Sequence, residues 1–272
     1  MPELPEVETT RRGLLPHVQH RKIIDVVIRN PRLRWPIPDN LAALASGQVV
    51  AGLDRRGKYL LMHLDHGAII IHLGMSGSLR ILDSDTPAGI HDHVDIVLDH
   101  RQSVRLRDPR RFGAVLWATH VVLQHPLLAD LGIEPLADDF DGDCLYRLSR
   151  RRSIAIKSFL MDSHHIVGIG NIYANEALFH AGIHPSLAAG KLNRPRCASL
   201  AQAIRETLNK AIIAGGSSLR DFVGSDGTPG YFQQQYFVYG RTDQPCRRCS
   251  HPVRQLRQSQ RATFYCPHCQ KR

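Results

Sequence analysis

The sequence predicts an α+β protein of two domains: an N-terminal β-sandwich with flanking helices, then a helical domain ending in a small cysteine module. Three observations carry this. From Lys22 to Thr119, short β-branched runs alternate with turn dipeptides, the pattern of an antiparallel sandwich or barrel. Beyond Phe140 the apolar residues move to helical spacing. Four of the six cysteines then stand as Cys246-x-x-Cys249 and Cys266-x-x-Cys269.

Taken in order, Glu6–Leu15 reads as a short helix with Val7, Leu14 and Leu15 as its apolar contacts. Strands are expected at Lys22–Ile28, Gln48–Leu53, Tyr59–Leu64, Ala68–Leu73, His93–Leu98, Ser103–Arg107 and Ala114–Thr119, with a short helix at Asn40–Ala45. A linker across Leu127–Phe140 divides the chain into domains 1–132 and 133–272. Helices follow at Asp143–Arg150, Ser153–Met161 and Ile172–Ala181. The clearest helix is Arg194–Ala214, with Pro195 in its first turn and Gly215-Gly216 as its stop. Cys197 falls on its apolar face and reads as a small core residue, not a nucleophile. The segment Ser217–Tyr231, with Gly224, Gly227 and Gly230, reads as a hinged polar loop. Within the module at 240–272, Pro252–Leu256 and Ala262–Tyr265 can pair as a hairpin.

A net charge of +10 suggests an anionic partner. Its distribution is more telling: Arg241–Arg272 holds eight Lys/Arg against Asp243 alone, which is +7 of that total. Apolar runs such as Ala68–Ile71 are far too short to span a bilayer. The N-terminus lacks the basic-then-apolar layout of a signal peptide. Cytoplasmic residence is expected, and with it metal binding by the paired cysteines instead of disulfides.

Those cysteines form two knuckles, and four thiolates suit tetrahedral zinc. A closed four-cysteine shell is structural, without an open position for chemistry. A redox dithiol or an iron site is the alternative. Arg257 and Arg261, at or near the turn of the hairpin between the knuckles, can reach a phosphate.

The chain begins Met1-Pro2-Glu3-Leu4-Pro5-Glu6. Alone, this is an acidic helix start, favoured by the helix dipole. Removal of Met1 would also expose a secondary amine, unprotonated in useful part near neutrality. Such an amine attacks aldehyde-like carbons to give an iminium, with Glu3 beside it to move protons. Elsewhere, Gly168-Ile-Gly-Asn171 is a tight turn opening a helix, and Asn171 and its neighbouring N–H groups could hold a phosphate. A lone Gly-x-Gly is more often an ordinary interhelical turn, and a lone lysine such as Lys58 in Arg55-Arg-Gly-Lys-Tyr59 is usually an exposed turn lysine. Met75, Arg110 and Phe112 lie on Gly- or Pro-marked loops, where apolar groups can wedge into a base stack. His72 keeps company with Met75 in His72-Leu-Gly-Met-Ser-Gly.

These motifs occur together and in one order: Pro2-Glu-Leu-Pro-Glu-Val-Glu-Thr9, Arg56-Gly-Lys-Tyr-Leu60, His72-Leu-Gly-Met-Ser-Gly-Ser78, Asp108-Pro-Arg-Arg-Phe-Gly113, Gly168-Ile-Gly-Asn-Ile-Tyr173 and the knuckles. The combination resembles the bacterial formamidopyrimidine-DNA (8-oxoguanine-DNA) glycosylases along nearly the whole chain. The resemblance implies a helix-two-turn-helix in the second domain, a β-hairpin zinc finger at 240–272 holding one structural Zn2+, and damaged double-stranded DNA as partner. It further implies a monomer that is cytoplasmic and nucleoid-associated, without membrane contact. Pro2 would be the nucleophile, Glu3 the acid/base and Lys58 a lesion-side lysine implicated in base release. His72, Asn171 and Arg261 would hold the kinked backbone, Arg261 counting among the catalytic set as well. Met75, Arg110 and Phe112 would fill the gap left by a flipped nucleotide.

Two other readings stand beside this one. The endonuclease VIII branch favours oxidised pyrimidines, but its members typically begin Pro-Glu-Gly-Pro-Glu, and Leu4 together with the Met75/Arg110/Phe112 set favours the purine branch. A non-catalytic zinc-ribbon DNA-binding protein would explain the basic tail and leave the Pro2 start unexplained.

Overall fold

A computed structural model describes residues 2–119, 121–216 and 235–272. The hinged segment expected at 217–231 lies outside the described residues, as does Met1. The chain forms two compact units, divided between Ala129 and Asp130, with Ala214–Gly216 belonging to the first.

The first unit opens with helix α1, Leu4–Val18. Glu3 is its N-cap. Glu6 accepts the backbone N–H of Glu3 at 2.8 Å while the Glu3 side chain accepts that of Glu6, a reciprocal capping box. Leu4, Val7, Leu14 and Val18 bury one face of the helix. The helix outruns the expected Leu15 and carries Pro16 in its last turn, at the loss of one N–H-to-carbonyl bond.

Eight strands follow in two antiparallel four-stranded sheets. One has the order β1 (Ile23–Ile28), β6 (Asp92–Leu98), β7 (Gln102–Arg107), β5 (Ser78–Asp83). The other runs β2 (Val50–Arg56), β3 (Tyr59–Leu64), β4 (Gly67–His72), β8 (Ala114–Ala118). A short helix α2 (Leu41–Ala45) lies between β1 and β2. Both sheets share one apolar core with α1, including Ile23, Val26, Leu60, Met62, Ile69, Ile71, Ile96 and Val104. Each such aliphatic side chain contributes about 1.5–3 kcal/mol by leaving water. The β6–β7 register is fixed by a buried cross-strand pair, Asp95 opposite Arg105. Arg105 donates to both Asp95 oxygens at 2.8 and 2.7 Å, and its remaining N–H groups reach the carbonyls of Thr86 and Pro87. Strand β5 is absent from the expected segments.

The second unit contains α3 (Gly142–Ser149), α4 (Ile156–Leu160), α5 (Asn171–His180), α6 (Arg194–Ile213) and the hairpin β9–β10 (Arg254–Gln258, Arg261–Tyr265). Asp141 caps α3 by accepting from the Cys144 N–H at 2.7 Å. Helix α4 is shorter than the expected Ser153–Met161. The N–H groups of Ile156 and Lys157 are taken by the carbonyls of Leu187 and Pro185, which keeps the preceding residues out of the helix. Cys197 is fully buried among Leu200, Ala201 and Ile204 on α6, as a core residue should be. Burial pushes its thiol, and that of Cys144, above the ordinary range. No helix among the described residues is long and apolar enough to cross a membrane.

Candidate active site and zinc finger

In the first unit the chemistry-bearing residues line up along adjoining elements. Pro2 and Glu3 are buried at the mouth of α1. One turn along, Glu8 accepts from Arg11 and Arg12 and reaches Arg55 on β2 at 3.3 Å. Burial alone would raise its carboxyl, but hydrogen bonds from Arg11 and Arg12, with the charges of Arg11 and Arg55, outweigh this and lower it to about 2. Arg55 in turn donates to the Gly57 carbonyl at 3.0 Å. Gly57 and Lys58 form the two-residue turn joining β2 to β3, with Gly57 at φ 57°, so Lys58 is held by the same ion network that anchors α1.

The β3–β4 register sets Tyr59 opposite His72, and their rings pack at 4.8 Å. His72 Nδ1 accepts the Gly74 N–H at 3.0 Å. Burial, then the positive charges of Lys58 and Arg34, bring His72 down to about 4. At neutral pH it is therefore an uncharged imidazole whose only donor is Nε2–H.

Met75 and Phe112 are unusually exposed for their type, at 38% and 42%. The guanidinium of Arg110 stacks over the Phe112 ring at 4.8 Å. Asp108, fully buried, ties the two loops together: it accepts from Ser76 Oγ at 3.0 Å and from the Gly113 N–H at 2.8 Å. Gly74, at φ 64°, lies so close that a Cβ there would come within 2.3 Å of the Phe112 carbonyl carbon. Beside Phe112 a cleft of about 570 Å³ is lined by Arg32, Leu33, Arg34, Arg110 and Arg111, four cations and no carboxylate.

In the second unit Asn171 lies against the hairpin strand that begins with Arg261. Asn171 Nδ2 donates to the carbonyl of Ala262, the residue after Arg261, at 3.1 Å. That bond fixes the Asn171 amide against the hairpin. Arg261 is exposed on the last rung of the hairpin, opposite Gln258. The two turn residues, Ser259 and Gln260, both adopt positive φ, which matches the twist of a tight hairpin. Beneath the hairpin, buried Lys157 donates to the Ala262 carbonyl at 3.0 Å and Thr263 Oγ1 at 2.7 Å. Buried Glu176 accepts three consecutive N–H groups, of Phe237, Val238 and Tyr239, and so anchors the stretch of chain entering the finger.

The thiols of Cys246, Cys249, Cys266 and Cys269 converge, all within 4.8 Å of one another. The separations Cys246–Cys269 of 3.9 Å and Cys249–Cys266 of 3.4 Å are too long for disulfides. They bracket the spacing of about 3.8 Å that a tetrahedron of Zn–S bonds dictates. Arg248 N–H and Cys269 N–H point at the sulfurs of Cys246 and Cys266, each at 3.4 Å, as they do around bound thiolates. The set fits one structural zinc, which cross-links the two knuckles without taking part in catalysis.

Sequence reasoning does not single out Glu6, Asp108, Lys157 or Glu176. The Glu3-x-x-Glu6 spacing is a capping-box signal and could have found the first. Asp108 sits unassigned in a recognised motif. Lys157 and Glu176 act on residues more than sixty positions away, and no local pattern announces them.

Residues 1–115 match the formamidopyrimidine-DNA glycosylase N-terminal domain, residues 131–223 the H2TH domain of the same proteins, and residues 243–272 the zinc finger found in FPG and IleRS. The class these define is a two-domain DNA glycosylase with a zinc finger. A formamidopyrimidine-DNA glycosylase of Thiobacillus denitrificans is 57% identical, with all of both chains covered. The crystal structure of the MutM (FPG) protein from Thermus thermophilus superposes with a TM-score of 0.89 at 38% identity, covering 99% of this chain and 98% of that one. A Lactococcus lactis FPG mutant in complex with Fapy-dG-containing DNA gives 0.92 at 34% identity, with both chains fully covered. The chain belongs to the formamidopyrimidine-DNA glycosylase family.

Proposed function

We propose that this protein excises oxidised purines, 8-oxoguanine opposite cytosine and formamidopyrimidines, from duplex DNA and then cleaves the strand. It is a DNA repair enzyme, a glycosylase with AP-lyase activity. The observation that carries the reading is Pro2 at the capped entrance of α1, followed by a carboxylate whose backbone is pinned by Glu6. With Met1 removed, the Pro2 nitrogen attacks the sugar's anomeric carbon as the bond to the damaged base breaks. Glu3 assists opening of the sugar ring and transfers protons, and Lys58 assists departure of the base. The resulting iminium is an electron sink that acidifies the neighbouring carbon, so β- and then δ-elimination release the strand ends and water regenerates the amine.

Extruding a nucleotide costs a few kcal/mol of stacking. Met75 and Phe112 offset this by filling the vacated space, while Arg110 meets the hydrogen-bonding edge of the orphaned cytosine. His72, Asn171 and Arg261 grip phosphates, Arg261 also serving the catalytic step by holding the reacting strand. The enzyme works as a monomer in the cytoplasm, associated with the nucleoid through DNA.

Borohydride trapping on a duplex carrying 8-oxoguanine tests this. Wild-type protein lacking Met1 should crosslink, and Pro2→Gly should lose most of the trapped product. Normal cleavage by protein that retains Met1 would overturn the mechanism. In a panel with each base opposite the lesion, Arg110→Ala should lose its preference for cytosine. A strong preference for thymine glycol would move the enzyme to the endonuclease VIII branch.

A further inference from the structure

The finger hairpin is a two-stranded sheet, so β10 has a strand partner on one side only. Along an antiparallel strand, alternate residues turn both backbone polar groups toward the partner or away from it. Ala262 and Phe264, two residues apart, turn theirs toward the helices. The Ala262 carbonyl accepts from Asn171 and Lys157, and the Phe264 N–H donates to Oδ1 of Asn175 at 2.8 Å. Side chains of α4 and α5 thus pair the edge that a third strand would otherwise pair.

Asn175 is completely buried, one helical turn after Asn171 on the same face of α5. While its Oδ1 takes the Phe264 N–H, its Nδ2 donates to the Asn171 carbonyl at 2.5 Å. The amide has one orientation only, because a flip would set oxygen against the Asn171 carbonyl and NH2 against the Phe264 N–H. One side chain therefore ties the first residue of α5 to the strand that begins with Arg261. The bond from Asn171 to Ala262 closes the ring. A slip of one residue would turn both backbone groups away from the helices, so the ring holds β10, with Arg261 at its start, in a single register.

Building on the phosphate grip assigned above to Asn171 and Arg261, we propose that Asn175 is a positioning residue for DNA binding: it sets the register of the finger hairpin on α5, so that Asn171 and Arg261 grip phosphates at the same time. Asn175 is buried and meets no DNA itself. Its effect passes through Arg261, whose backbone it holds in place. An apolar side chain would fill the same space between helix and hairpin, but it would leave the Phe264 N–H unpaired and the register unfixed.

The test uses the full zinc-loaded protein and a duplex carrying an uncleavable abasic-site analogue. Asn175→Leu should keep its zinc and weaken binding by about tenfold. It should also lower the slope of log K against log salt by about 0.9, as Arg261→Ala does. Asn175→Ser, too short to reach Phe264 but less disruptive to packing, should lower the slope in the same way. Asn175→Asp keeps the acceptor for Phe264 and should restore the slope and most of the affinity. Adding Asn175→Leu to Arg261→Ala should cost less than about twofold more, since both remove one contact. Additive losses, or wild-type slopes in Asn175→Leu and Asn175→Ser beside a reduced slope in Arg261→Ala, would overturn the proposal and leave the grip standing. An unchanged slope in Arg261→Ala would overturn the grip, and the role of Asn175 with it.

Discussion

Glu6 holds the backbone N–H of Glu3 at 2.8 Å from within a site where both carboxylates are only 2% exposed. The bond fixes the peptide next to Pro2 and makes the start of α1 a preset feature, independent of substrate. Glu6→Ala should lower stability by about 1–2 kcal/mol through loss of the cap, and slow single-turnover trapping by about tenfold or more through misplacement of Pro2. Glu6→Gln keeps an acceptor oxygen and should recover most of the stability. Thermal melts and trapping rates for the pair check this, and equal trapping by Glu6→Ala and wild type would dismiss the positioning role.

Glu8 predicts an acid limb to the stability curve. Its folded value, about 2, lies below its ordinary 4.5, so the stabilisation is complete above pH 4.5. It is lost as pH falls from about 4.5 towards about 2, where the folded form also takes up the proton. Partial exposure of the arginine partners limits the effect to about 1–2 kcal/mol. Denaturant titrations between pH 6 and 3 should show a shallower pH dependence for Glu8→Gln than for wild type.

Arg261, exposed at the end of the hairpin, should contribute one phosphate contact. Arg261→Ala should weaken binding to all duplexes alike and reduce the slope of log K against log salt by about 0.9. An unchanged slope would remove it from the interface.

Glu176→Ala would leave three backbone N–H groups at the entrance to the finger without their acceptor, at about 1–3 kcal/mol for each that stays buried. The variant should bind its structural zinc with normal stoichiometry but release it faster to a chromogenic chelator. Cys249→Ser, by contrast, should lose the metal outright, and with it much of the affinity for DNA.

What can be read in the sequence is whatever is local. The short strand-forming runs of β3, β4 and β7 between turn residues, the helix start and stop around α6, and the knuckle spacing are each set within a few residues, and the elements emerge close to their observed bounds. Strand β5 escapes because Ser78–Asp83 mixes Leu79 and Ile81 with Arg80, directly after a Gly-marked turn. Helix α4 is overdrawn because its preceding backbone is claimed by residues about thirty positions away. The site divides in the same way. The proposed roles of Pro2, Glu3, Lys58 and His72 come from their motifs taken together and the cysteines from their spacing, whereas the contacts of Lys157 with Thr263 and of Glu176 with Phe237–Tyr239 exist only once the chain has folded.

Met75 and Phe112 stand on loops joined by one carboxylate and one backbone-to-backbone contact at Gly74. Their tips therefore travel as a single blade. With Met75 and Phe112 entering the base stack as proposed, such a blade would make a yes-or-no enquiry at each base step: the step opens far enough to admit the whole edge, or it is passed over. Under that proposal, patrol speed would be governed by how readily the duplex yields. The same joint restricts inheritance, because a change of bulk in one loop must be matched by its partner before the blade cuts cleanly again.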